Sequence, residues 1–306
     1  MQKFWDLWLS VETLEILEKK GYETPSSIQE KTIPLLLGKV CDVIWQSQTW
    51  TGKTAAFGLP IIENLLKSSN NFDKNIKALI LAPTRELAIQ VANEISSFVG
   101  KRWLKVFSIY GWQSYITEKR HIKDWIDILV WTPWRIIDHL NNWYLNFENI
   151  QYFVLDEADE MLNMGFIWDI ETILKNTPKQ KTTLFFSATM PAVIMNVAKK
   201  YMNDYQILAV KNKQLTTTLT DQFYYMVKRQ DKSELLARII DMEYGFYGII
   251  FCKTKADVDE LVNILASKWY NVDSIHGDIS QAQREKTIKK FKNWMTKILI
   301  ATDVAA

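Results

Sequence analysis

Cysteine is nearly absent from this chain: Cys41 and Cys252 are the two thiols in 306 residues. Two are too few for a disulfide framework and favour a reducing cytoplasm. Long apolar runs are also missing, with none near the ~18 residues a membrane helix needs, so no membrane span is expected. The opening Met-Gln-Lys-Phe-Trp-Asp lacks the apolar region of a secretory leader. Charge of one sign is lacking too. Lys and Arg number 37 against 35 acidic residues, a formal net charge of +2, so any nucleic-acid site has to be a local patch and not a global field. A 48% hydrophobic, 24% charged composition excludes a disordered or collagen-like chain. The length suits about two domains at ~150 residues each. His121 and His139 have no partners at metal-ligand spacing, so surface or packing positions are expected for both.

Glycine is the shortage with the largest consequence. The chain has 10, where a usual share of about 7% would give roughly twice as many. Tryptophan, normally scarce, numbers 13. Asp124-Trp125, Asn142-Trp143 and Asn293-Trp294 sit where a turn is needed, and Asp-Gly and Asn-Gly are the expected turn pairs. Lys268-Trp269 follows an apolar-periodic helix and precedes a strand, the helix-end slot where glycine is enriched. Core tryptophans should follow apolar periodicity, and few of these do. The expectation is that most or all of these codons specify glycine in the source organism, as UGA does in a few bacterial lineages.

What is present is alternation. Apolar strand patterns over 42–45, 78–82, 106–110, 126–130, 152–155, 183–186 and 207–210 are separated by helical patterns such as 54–66, 86–98, 133–140 and 191–202. Near-continuous apolar strands between helices predict an α/β fold with a parallel sheet covered on both faces. Residues 211–219 are polar and aperiodic and read as a linker between domains 1–210 and 220–306. A second set follows: strands at 222–227, 248–252, 272–275 and 297–301, with helices at 232–242, 255–266 and 281–290. The second domain is expected to be incomplete, because no closing helix follows its last strand.

Two segments carry chemistry. Ser47-Gln48-Thr49-Trp50-Thr51-Gly52-Lys53-Thr54 follows a strand and opens a helix, the context in which a phosphate-cradling loop is credible. Backbone N–H groups and the helix N-terminus face the anion, and Lys53 adds a point charge. The Thr54 hydroxyl suits Mg²⁺. A solvated turn before a helix is the plain alternative. Trp50 conflicts with the loop, because an indole would crowd phosphates that need close backbone approach. Tyr152-Phe153-Val154-Leu155-Asp156-Glu157-Ala158-Asp159 is a buried strand ending in carboxylates, and ligands bind at such strand ends. Asp156 would hold Mg²⁺, and Glu157 would orient and deprotonate an attacking water. The alternative is an acidic first turn complementing the helix dipole.

At these residues the chain resembles a DEAD-box RNA helicase, because Asp156-Glu157-Ala158-Asp159 spells the name-giving motif. The resemblance covers essentially the whole chain, with the motifs in order. It implies two RecA-like domains, ATP and Mg²⁺ as cofactor, RNA as a partner gripped by its backbone without sequence preference, and a cytoplasmic, monomeric enzyme. Gly21-Tyr22-Glu23-Thr24-Pro25-Ser26-Ser27-Ile28-Gln29 resembles the Q motif, which implies that Gln29 reads the adenine edge and Tyr22 stacks on the base. Ser47–Thr54 resembles motif I. Ser187-Ala188-Thr189 resembles motif III, which couples hydrolysis to strand separation and adds Ser187 and Thr189 to the catalytic set of Lys53, Asp156 and Glu157.

RNA contacts are implied for Pro83, Thr84 and Arg85 of motif Ia, Gly111 of the Gly-Gly pair, and Thr132, Pro133 and Arg135 of motif Ib. In the second domain they are implied for Thr254 of motif IV, Gly277 of the following segment and Thr302 of motif V. Every tryptophan falls where a glycine reads naturally in such a helicase. The rest of motif V and motif VI, with its arginine fingers, are not in the sequence, so weak ATP hydrolysis is expected of the chain as spelled. If Trp50 and Trp134 are genuine, a non-catalytic RNA-binding protein is the competing reading.

Overall fold

The computed structural model describes residues 3–38, 41–46, 52–68, 75–108, 125–141, 145–209 and 220–302. They fall into two compact units, Met1–Lys213 and Gln214–Ala306.

In the first unit the strands are β1 (Val43–Gln46), β2 (Ala78–Leu81), β3 (Val106–Ser108), β4 (Ile128–Trp131), β5 (Tyr152–Leu155), β6 (Thr182–Ser187) and β7 (Gln206–Ala209). All pair in parallel, in the order β3-β4-β2-β5-β6-β1-β7. Every residue of β2, β4, β5 and β6 is buried, which is why their sequences show continuous apolar runs instead of alternation. The faces still divide with period two. Ile80, Val130, Val154 and Phe186 pack into one layer, against α1 (Val11–Lys19), α2 (Ser27–Gly38), α3 (Lys53–Lys67) and α4 (Arg85–Val99). Leu79, Leu129, Phe153 and Phe185 pack into the other. That layer is closed by α5 (Pro133–Asn141), α6 (Ala158–Asn163), α7 (Ile167–Lys175) and α8 (Ala192–Tyr201).

Buried polar clamps tie these layers at their edges. Glu63 on α3 accepts from Ser10 Oγ at 2.6 Å and Thr13 Oγ1 at 2.5 Å, with Arg102 Nη1 at 3.8 Å. The clamp fastens α1 over α3 and the end of α4. Asp42 accepts the backbone N–H groups of Thr183 and Asn203, each at 2.6 Å, joining the start of β1 to β6 and to the approach to β7. His139 is fully buried against the Trp131 ring, centroids 5.0 Å apart, a packing position. His121 lies outside the described residues. Among the described residues no group of three His, Cys, Asp or Glu is placed to hold a metal, the two cysteines form no disulfide, and no helix is long and apolar enough to cross a membrane.

The second unit holds β8 (Gly248–Cys252), β9 (Val272–Ile275) and β10 (Ile298–Thr302), parallel in the order β8-β10-β9. Its helices are α9 (Lys232–Met242), α10 (Lys255–Ser267) and α11 (Gln281–Lys292). The strand expected over 222–227 does not form. Its aromatic sequence has high strand propensity, but no ladder partner takes it up among the described residues. Phe223, Tyr224 and Met226 are consequently 81–94% exposed. The expected linker, 211–219, lies outside the described residues.

Candidate functional site

The order of the first sheet brings the carboxyl ends of β1 and β5 to one rim, with β6 between them. Gly52 and α3 follow β1. Gly52 has φ 76°, a left-handed conformation glycine adopts freely, and a Cβ there would collide with the Gln29 side-chain amide. Gln29 is buried on α2. Its Nε2 donates to Gly52 O at 3.1 Å, and its Oε1 accepts from Ser26 N at 2.9 Å. The predicted base-reading residue is thereby joined to the end of the predicted phosphate loop. Ser47, Gln48, Thr49, Trp50 and Thr51 of that loop lie outside the described residues.

Lys53 opens α3 with its side chain buried, and its Nζ has no hydrogen-bond partner among the described residues. The same holds for Asp156 Oδ1, just past the end of β5. Asp156 is anchored through its backbone, with N donating to Leu81 O at 2.9 Å. Burial pushes its carboxyl up to about 7; Lys53 opposes this, and the neighbouring Glu157 carboxylate adds to it. Burial also raises Glu157, again opposed by Lys53. Glu157 has φ 56° and ψ 53°, a strained backbone of the kind concentrated at functional sites.

Gly52, Lys53, Thr54, Asp156 and Glu157 line one cavity of about 390 Å³. Among the described residues the rest of its lining comes from α4, through Leu87, Gln90, Val91 and Glu94. These four were not legible as site residues, because nothing in a helical pattern says which ligand cavity a helix will border. Tyr22 does not line the cavity. Its ring meets Phe4 and Phe98 edge-on, each at 5.9 Å, and its hydroxyl donates to Glu94 at 3.1 Å. Burial first, then the Glu94 charge, push that phenol up to about 12.

Ser187 and Thr189 converge on Asp159. Ser187 Oγ accepts from Asp159 N at 3.1 Å, while Thr189 N and Oγ1 donate to Asp159 Oδ2 at 2.7 and 2.9 Å. Burial pushes Asp159 up, but these hydrogen bonds prevail and hold it below its usual value. Ser187 and Thr189 thus fix the acidic turn and do not border the cavity.

Pro83, Thr84 and Arg85 follow β2, and Thr132, Pro133 and Arg135 follow its neighbour β4, so the structure brings the two sets together. Thr84 caps α4 by accepting from Leu87 N at 3.3 Å. Thr132 is buried, and Arg135 pairs with Asp138 at 3.5 Å. The Trp134 ring lies 6.0 Å from the Arg85 guanidinium and 5.5 Å from that of Arg135. Gly111 is outside the described residues. In the second unit, Thr254, Gly277 and Thr302 gather at the carboxyl ends of β8, β9 and β10. Thr254 caps α10 in a reciprocal box with Asp257. Gly277 lies close to Lys255, whose Cε would be 3.5 Å from a Cβ there. Thr302 is buried at the end of β10.

Comparison with known proteins places this geometry among relatives. Residues 26–197 match the DEAD/DEAH box helicase family and residues 231–306 the helicase conserved C-terminal domain. A probable ATP-dependent RNA helicase of Methanocaldococcus jannaschii is 47% identical over 98% of this chain and 79% of its own length. The DEAD-box ATP-dependent RNA helicase CshA of Geobacillus kaustophilus is 45% identical over the whole chain, which spans 64% of that protein. Among solved structures, S. cerevisiae Dbp5 bound to RNA and ADP BeF3 matches with TM-score 0.86 at 29% identity, over 99% of this chain and 76% of that one. The crystal structure of a DEAD box protein from Methanococcus jannaschii matches with TM-score 0.65 at 46% identity, over 99% of this chain and 80% of that one.

Proposed function

This chain belongs to the DEAD/DEAH box helicase family, and from that membership we propose that it couples ATP binding and hydrolysis to local unwinding of RNA duplexes or remodelling of RNA–protein complexes. The observation that carries the nucleotide half is the pair Lys53 Nζ and Asp156 Oδ1, buried at one cavity with no partner among the described residues. Buried charged groups left unpaired are costly, and a magnesium-bound triphosphate supplies both missing partners at once. The donor set fits that cofactor: a hydroxyl and a carboxylate, Thr54 and Asp156, are the hard oxygen ligands Mg²⁺ prefers, and the ion when bound neutralises charge on the phosphates. Lys53 binds phosphate oxygen, and Glu157 orients the attacking water and takes its proton. Ser187 and Thr189 act through Asp159 by fixing the turn that carries Glu157.

The RNA half is supported by Arg85 and Arg135 at adjacent strand ends and by the yeast relative seen with RNA. Arginines, hydroxyls and helix N-termini are the usual phosphate contacts and carry no base information, and contacts to 2′-hydroxyls would select RNA over DNA. We place the protein in the cytoplasm, in keeping with two cysteines that form no disulfide, and as a monomer. The test is ATP turnover by the full-length protein with and without RNA. Stimulation by RNA is the expected result; turnover indifferent to RNA removes the helicase reading.

A pH dependence follows from Asp156. Its carboxyl titrates at about 7 before nucleotide arrives, and only the ionised form ligates a cation. Mg-ATP affinity should therefore rise with pH up to about that value and level off above it, with net proton release on binding below it. Calorimetry at pH 6 in buffers of different ionisation enthalpy reads that proton directly. No proton release at that pH would contradict the assignment.

A further inference from the structure

We infer that the tryptophans of this chain occupy glycine positions: the codons that spell them are read as glycine in the cell that makes the protein. The structure carries this through helix ends. Four helices close with the same pair of hydrogen bonds. After α1, Gly21 N bonds Glu18 O at 2.9 Å and Tyr22 N bonds Leu17 O at 3.0 Å. After α6, Gly165 N bonds Leu162 O and Phe166 N bonds Met161 O, both at 2.9 Å. After α10, Trp269 N bonds Ala266 O at 3.0 Å and Tyr270 N bonds Leu265 O at 3.1 Å. After α11, Trp294 N bonds Phe291 O and Met295 N bonds Lys290 O, both at 2.9 Å.

This is the Schellman closure, whose residue beyond the cap is left-handed and usually glycine. Gly21 and Gly165 have φ 76° and 83°; Trp269 and Trp294 have φ 68° and 61°. Two ends use the expected residue, and two carry the bulkiest side chain in a conformation that penalises any Cβ. Trp8 repeats the anomaly at φ 61° after the short 3-10 helix Phe4–Leu7. Among the described residues the other non-glycines at positive φ are Glu157 and Asp204. The first sits in the strained catalytic turn and the second is a residue type that tolerates this region.

Burial points the same way. Trp5, Trp8, Trp103, Trp134, Trp168, Trp269 and Trp294 are each 36% or more exposed, and Trp269 reaches 95%, whereas tryptophan is highly buried on average. Trp45 is fully buried, yet its indole Nε1 has no acceptor among the described residues. At position 134, glycine would remove the ring that stands over Arg85 and Arg135.

The experiment has two arms, and neither reads ATP or RNA, so its failure and the failure of the helicase reading are separable. The first is the gene, together with mass spectrometry of the protein isolated from its own cells. UGA at codons 8, 269 and 294 with glycine masses in the peptides is the expected result; UGG at any of the three overturns the inference. The second is the stability of Trp269→Gly and Trp294→Gly against Trp269→Ala and Trp294→Ala in the full-length protein. Alanine is the comparator because it removes the indole equally, including the 4.1 Å stack of Trp294 on Tyr247, and keeps the Cβ. Glycine should raise the folded-to-unfolded ratio by about 5- to 30-fold over alanine at each site. Gly21→Ala and Gly165→Ala should lose a like factor. Equal stability of glycine and alanine at both tryptophan sites overturns it as well.

Discussion

Glu157→Gln is expected to abolish RNA-stimulated ATP turnover in the full-length protein while leaving nucleotide binding in place. A positioned general base contributes about 10²–10⁴-fold, and the amide can accept no proton from water. The substitution keeps the size and reach of the side chain, so the cavity shared by Lys53, Thr54 and Asp156 keeps its shape. Its backbone already holds φ 56°, a conformation imposed by the turn and not by the carboxylate. The turn is held from the other side by Ser187 and Thr189 through Asp159. Steady-state turnover and an equilibrium nucleotide titration on the same preparation separate the two effects. A variant that turns over within about tenfold of the parent would remove Glu157 from the role of base.

The largest expected loss of stability comes from Asp127→Ala. Asp127 is fully buried at the amino end of β4, with Lys77 Nζ at 3.4 Å from its carboxylate. It also accepts from Lys105 N at 2.9 Å. Removing the carboxylate strands the buried Lys77 ammonium and leaves the Lys105 N–H unpaired. Breaking a buried pair from one side costs about 3–5 kcal/mol, a large part of a domain's ~5–15 kcal/mol. The double change Lys77→Met with Asp127→Ala should recover part of the loss, because the stranded charge is gone while the Lys105 N–H stays unpaired. Denaturant midpoints for parent, single and double variants measure both steps. A single-variant loss under about 1 kcal/mol would show that water reaches Lys77.

Strands were legible wherever burial on both faces made them continuous. The pattern over 152–155 matches β5 residue for residue, and α9, expected over 232–242, matches its helix in the same way. Elements with a broken or weak stripe were not. α2 carries Pro34 inside the helix, which argues locally against it, and it holds because Ile28, Ile33 and Leu36 are buried in the core. The segment 222–227 failed in the opposite direction, since strand propensity without a partner makes no sheet.

In the site, Lys53, Asp156 and Glu157 could be found because each ends or begins an element, and topology then brings the ends together. Glu94 and Gln90 could not, since their approach to the cavity depends on how α4 packs across the sheet. The clamp on Glu63 spans 50 residues to Thr13 and leaves no local signature.

An equilibrium titration of Mg-ATP against the complete protein with glycine at position 50, run beside its Lys53→Ala variant, addresses the central claim most directly. Saturable binding by the first and a loss of about 10- to 100-fold in the second, the worth of a hydrogen bond to a charged group, is what Lys53 Nζ and Asp156 Oδ1, buried at one cavity with no hydrogen-bond partner among the described residues, require. Absence of binding by the first, or equal affinity in both, would contradict it.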